Sequence, residues 1–254
     1  MPQKEIKMKK TLSLLLVFAM LFSLGLAIYP AAEESPELEI AYANIELASS
    51  IHLWFAVDYS AFESYDGVKL KVTNNVTGEV TTLSPVPGIS TPEGCIAFKY
   101  AKLKYKNMGD ELTLQAYKDG EASGESKTYS TLEYALKAQS RKDGKLTELM
   151  QSMLLLGKNA QKTFKHTGTY DLSKSYSLVA LSGGATVNGK TKLIVPIDSE
   201  LTATLDGADE GYAWYNASSE ELGRGASLIF TADATYVALS CSPASEEKAE
   251  GAEE

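Results

Sequence analysis

Two histidines and two cysteines in 254 residues leave little material for the commonest enzymatic and metal sites. His52 and His166 fall in different segments, with no His-Glu-x-x-His and no paired-cysteine spacing beside them, so no zinc ligand set is recognisable. Serine is plentiful, yet no Gly-x-Ser-x-Gly elbow occurs. Gly183-Gly184 and Gly223-Arg224-Gly225 read as turn glycines, because neither stands between a strand and a helix as a phosphate cradle requires. No cofactor is implied. Glycosidase-type carboxylate pairs stay open, since two such acids come from anywhere in a fold. The two cysteines, Cys95 and Cys241, lie in separate segments within apolar strand patterns and are expected as free buried thiols. The alternative is one bridge, which demands a close Cα approach.

Basic residues are also short: 24 Lys and Arg stand against 33 Asp and Glu, a net charge of −9. A surface of that sign repels phosphate backbones, which argues against nucleic acid as a partner. Hydrophobic residues at 44% are enough for a packed core, so wholesale disorder is excluded.

The chain has one long uncharged apolar run, Leu12 to Ala27, and no second one. Lys7, Lys9 and Lys10 precede it, and Gly25-Leu26-Ala27 supplies small residues for cleavage, so residues 1–27 read as a signal peptide. The rival is an uncleaved anchor, because the run approaches spanning length. Cleavage removes four lysines and one glutamate, which takes the charge from −9 to −12. The expected location is secreted or cell surface. No Leu-Pro-x-Thr-Gly sorting signal follows.

Residues 28–36 read as a linker. From 37 to 129 the hydrophobic period is two: Ile51, Leu53, Phe55 and Val57 alternate with His52, Trp54, Ala56 and Asp58, and Val68, Leu70 and Val72 alternate with lysines. Asn74 to Gly78 predicts a hairpin turn, and Ile96, Phe98, Tyr100, Leu112, Leu114 and Ala116 continue the pattern. Short strands at this spacing predict an immunoglobulin-like β-sandwich.

At Ser130 the period changes. Ser130 and Glu133 form a capping-box pair, and Leu132, Ala135 and Leu136 give a helical stripe ending near Asp143-Gly144. A second stripe, Leu146, Leu149, Met150, Met153, Gly157, Ala160 and Phe164, runs towards Gly168. Residues 130–168 are therefore expected to form an αα-hairpin leaning on a β-domain, with Leu149, Met153 and Phe164 buried and Lys158 and Lys162 in solvent. Residues 169–242 return to period two, with Asn188-Gly189 as the strongest hairpin signal, and predict a second small β-domain. Residues 243–254 are small and acidic and read as a disordered tail. The predicted class is mainly β with an αα-hairpin, an α+β arrangement.

The stretch from Ser130-Thr131-Leu132-Glu133-Tyr134-Ala135 to Leu154-Leu155-Leu156-Gly157-Lys158-Asn159-Ala160-Gln161-Lys162-Thr163-Phe164 resembles a helical hairpin in modular exported proteins of Gram-positive bacteria. Leu156 and Thr163 stand where that pattern carries aromatics. Gly184 to Gly189, Gly211-Tyr212-Ala213-Trp214-Tyr215 and Thr231 to Leu239 are similar to β-repeat modules of bacterial surface proteins, including the internalin B-repeat type, with Ala213 in place of a glycine. The resemblance implies display, adhesion or spacing at a surface, and carries over no catalytic residue.

Two sets of residues are candidates for binding. Trp54, Tyr212, Trp214 and Tyr215 could stack a sugar if exposed, whereas buried they are core. Asp206, Asp209 and Glu210 could offer oxygens to calcium, though without EF-hand spacing, and otherwise form a solvated turn. The first reading of function is a non-catalytic surface or secreted module for display, adhesion or spacing. Its alternatives are a carbohydrate-binding module and a secreted hydrolase. Expected partners are cell-wall or host polysaccharide, or surface proteins.

Overall fold

The computed structural model describes residues 36–47, 51–101, 103–141, 143–207 and 211–244. The predicted signal peptide, nearly all of the linker, and residues 245–254 of the predicted tail lie outside the described residues. The architecture belongs to the unit Leu38–Glu254, and it is mainly β with two helices.

The first sheet contains β1 (Glu39–Leu47), β2 (Ile51–Asp58), β5 (Pro85–Val86) and β6 (Cys95–Tyr100), in the order β1-β2-β6-β5. The second contains β3 (Val68–Asn74), β4 (Val80–Leu83), β7 (Glu111–Lys118) and β8 (Glu121–Ala122), in the order β4-β3-β7-β8, and β9 (Lys127–Ser130) also pairs with β7. Period-two alternation decides what each sheet buries. Leu53, Phe55 and Val57 of the first sheet share one core with Leu70, Val72, Leu112 and Leu114 of the second. Phe55 and Tyr129 meet edge to face across it, 5.5 Å between centroids. Turn chemistry fits the sequence: Asp119-Gly120 closes the β7–β8 hairpin with positive φ at both residues, the geometry a two-residue turn of right twist demands.

Helix α1 (Thr131–Gln139) and helix α2 (Gly144–Phe164) follow. The Ser130 hydroxyl accepts from the Glu133 N–H, as the capping pattern predicts. The Glu133 carboxylate has a different use, an ion pair with Lys192 at 2.7 Å. Helix α1 also stops earlier than expected, and Asp143 instead caps α2 by accepting from the Lys145 and Leu146 N–H groups. Leu132, Ala135, Leu136, Met150 and Met153 enter the same core as the two sheets, so the helices bury their stripes against the β-layers.

Two of the three burial expectations for α2 are corrected. Met153 is buried, but Leu149 is 48% and Phe164 65% exposed. The buried stripe runs through Met150, Met153, Gly157, Ala160 and Gln161, so Leu149 sits on its flank. Phe164 falls on the last turn, where the left-handed Lys165 (φ 50°) ends the helix and the His166 N–H returns to the Gln161 carbonyl. Packing, not period, sets where the stripe stops.

The last segment forms a five-stranded sheet, with β10 (Tyr176–Ser182), β11 (Lys192–Pro196), β13 (Tyr212–Asn216), β14 (Glu221–Arg224) and β16 (Tyr236–Pro243) in the order β11-β10-β16-β13-β14. A separate pair joins β12 (Ser199–Thr204) to β15 (Ser227–Ala232). Strands β10 and β16 pair in parallel, which a long connection allows and no hairpin does. Asn188 and Gly189 both have positive φ between the bridged residues Val187 and Lys190. Pro243, assigned from the sequence to the tail, pairs with Tyr212 as the end of β16. These strands enclose a second core around Trp214, Val179, Leu181 and Leu239.

Candidate functional site

The aromatic candidates do not form one exposed row. Trp214 has no exposed surface, and its indole N–H donates to the Gly225 carbonyl at 2.8 Å. Tyr212 packs half-buried on the same core, and Tyr215 is half-buried beyond the register shift between β13 and β14. A ring with no open face cannot stack a ligand, so Trp214 is a core residue. Trp54 belongs to the first sheet and is not brought together with these three. Of the acidic candidates, Asp206 follows β12 in a turn, while Asp209 and Glu210 lie outside the described residues. Among the described residues no group of three or more His, Cys, Asp or Glu is placed to hold a metal ion.

Trp54 has a setting that the sequence did not disclose. On the outward face of the first sheet, its indole N–H donates to Glu46 Oε2 at 2.8 Å. The same oxygen lies 3.1 Å from Lys99 Nζ and 3.2 Å from His52 Nδ1. Lys99 Nζ also stands 4.9 Å from the centroid of the Trp54 ring. Strand register produces this meeting: Glu46 lies opposite His52, and Trp54 opposite Lys99. Donation from Trp54, then from Lys99 and His52, favours the ionised carboxylate and holds Glu46 down at about 2. The group is a fixed acceptor flanked by donors on an open surface.

His166 sits in a different and buried setting. Its Nε2 lies 2.7 Å from Asp110 Oδ1, and the other Asp110 oxygen accepts from Asn107 Nδ2 at 2.7 Å and Asn74 Nδ2 at 2.8 Å. Asp110, Asn74 and Asn107 are all buried. Asn107 belongs to the 3-10 turn Tyr105–Gly109, Asn74 ends β3, and His166 follows α2, so one carboxylate ties three elements together. Gln161 adds a second tie: its Nε2 donates to the Tyr170 carbonyl and its Oε1 accepts from the Leu172 N–H, each at 3.0 Å. Gly157 completes the joint, because a Cβ there would stand 2.7 Å from Leu172 Cδ1 and 2.9 Å from Met108 Sδ. The residues that carry the helical resemblance, Gly157, Ala160 and Gln161, are thus packing and pinning residues.

Cys241 is buried and Cys95 half-buried, and both are free thiols. Burial pushes each thiol up, with Asp58 and Glu39 adding to the shift at Cys95, so neither presents a thiolate nucleophile near neutral pH. A further apolar groove lies between Leu47 and Ile51 of the first sheet, Tyr105, and Leu149, Met153 and Leu156 of α2.

No protein-family model matches the chain, and no curated protein matches it.

Proposed function

We propose that the chain is an exported, non-catalytic surface or secreted module for display, adhesion or spacing. In this reading an immunoglobulin-like β-sandwich is followed by a helical hairpin and a β-module of the internalin B-repeat type, as in modular exported proteins of Gram-positive bacteria. Cell-wall or host polysaccharide, or other surface proteins, are its partners outside the cytoplasm.

The observation that carries the spacing role is β10. Leu178 belongs to the first core and Val179, its neighbour, to the second. A strand buried on both faces cannot swivel without emptying two cores, so it joins the two parts stiffly. The Glu133–Lys192 ion pair spans the same joint from helix α1. A module that holds neighbours at a fixed distance needs such a joint, whereas a flexible linker would give independent beads.

Two measurements test the proposal. Expressed in a Gram-positive host, the chain is expected in the medium or on the surface with Ile28 as its first residue; retention in the cytoplasm would sink it. Calorimetry is expected to give a single cooperative transition. Two well-separated transitions would show that the cores are independent and would remove the spacing role.

A further inference from the structure

The outward face of the first sheet carries side chains that a spacing role does not use. Register sets them in rows. Tyr42 stands beside Ala56 and Ala97, Asn44 beside Trp54 and Lys99, and Glu46 beside His52. Tyr42 is 41% exposed, although it is a large ring in the middle of a strand. Ala56 and Ala97 occupy the positions beside Tyr42 and are nearly fully buried, so neighbouring side chains cover them.

We propose that this face binds a neutral polysaccharide, with Tyr42 as the stacking ring and Glu46 and Lys99 as partners for its hydroxyls, the Trp54 indole N–H holding the Glu46 carboxylate in place. A sugar has an apolar C–H face, which packs on an aromatic ring, and hydroxyls that both donate and accept. Recognition of a chain of sugars therefore needs a ring, an acceptor and donors along one face. Glu46 accepts only and Lys99 donates only, and the two meet at 3.1 Å. Lys99 already stands over the Trp54 ring and the indole N–H is bonded to Glu46, so stacking falls to Tyr42.

Charge selects among ligand classes. Glu46 and Lys99 neutralise each other, so the patch exerts little pull on an ion, and a chain of net charge −9 repels an anionic polymer. A purely apolar ligand would strip water from an ion pair without replacing its hydrogen bonds. A neutral saccharide avoids both costs. Tyr42 and Glu46 are separated by four residues of extended chain, ~13 Å. A ligand touching both therefore lies along β1 as an oligomer and not as one sugar.

The test is retention of the full exported chain on insoluble cellulose, chitin and β-1,3-glucan, with polygalacturonate as the anionic comparison. Binding to at least one neutral polymer is expected, and Tyr42→Ala and Glu46→Gln should each weaken it by roughly tenfold or more. Both positions are partly exposed, and unchanged melting of the variants separates lost binding from lost fold. In a Trp214→Phe background, the bound polymer should shift the emission of Trp54. The proposal is overturned by any of three results: no retention on a neutral polymer, retention by polygalacturonate alone, or undiminished binding by folded Tyr42→Ala. None of these touches the spacing role, which rests on β10.

Discussion

His166 and Asp110 are 56 positions apart in the chain and 2.7 Å apart in space. The pair closes the junction where α2 ends, the 3-10 turn passes and β3 runs out. Asp110 has no exposed side-chain surface, and two asparagine amides depend on it.

Asp110→Ala should therefore be severe. It leaves buried amide donors and the His166 ring without their acceptor, a loss of about 3–5 kcal/mol. Urea unfolding checks it. A loss below about 1 kcal/mol would mean that water replaces the carboxylate without penalty.

The two ends of the α2 pattern should behave oppositely. Met153→Ala empties a buried site and should cost about 2–5 kcal/mol. Phe164→Ser removes a ring that is 65% exposed and should change stability by about 0.5 kcal/mol or less. Equal losses in thermal melting would contradict the observed end of the buried stripe.

Gly157 and Gly109 both face close neighbours, of different kinds. At Gly157 a new Cβ meets the ends of two flexible side chains, so Gly157→Ala should cost about 1–3 kcal/mol, softened by better helix propensity. At Gly109 it meets the Tyr170 carbonyl, which is backbone and cannot turn aside. Gly109→Ala should be the worse of the two in parallel denaturant titrations. The reverse order would place the rigid contact wrongly.

Glu46 gives a pH signature. Its pKa is lowered from 4.5 to about 2 in the folded chain, so its contribution to stability is fully present above 4.5. That contribution fades as pH falls from 4.5 towards about 2. Carbon-detected NMR titration should find the Glu46 midpoint near 2, and Trp54→Phe should raise it, because the indole N–H is the largest cause. A midpoint near 4.5 in the unmodified chain would show that the carboxylate is solvated and unpaired.

Trp214 offers an optical check on the second core. In a Trp54→Phe background its emission should resist acrylamide quenching, and Trp214→Ala should cost about 3–5 kcal/mol. Strong quenching would mean that the ring has the open face it lacks here.

What the sequence determined by itself is local. Alternation assigned Leu53, Phe55, Leu70 and Leu114 to an interior, because adjacent strand residues point to opposite faces. Asn188-Gly189 announced a turn because few residues tolerate positive φ. Ser130 marked a helix start through a bond to a residue three positions on. Tertiary structure decided everything that depends on distant partners. The Glu46, Trp54 and Lys99 group exists only through the register of three strands, and no spacing in the chain encodes that register. Phe164 reads as core by period, yet lies beyond the last neighbour able to cover it. The division of Leu178 and Val179 between two cores follows from which sheets pack on either side of β10. Period tells a residue which way to point, and only packing supplies what it points at.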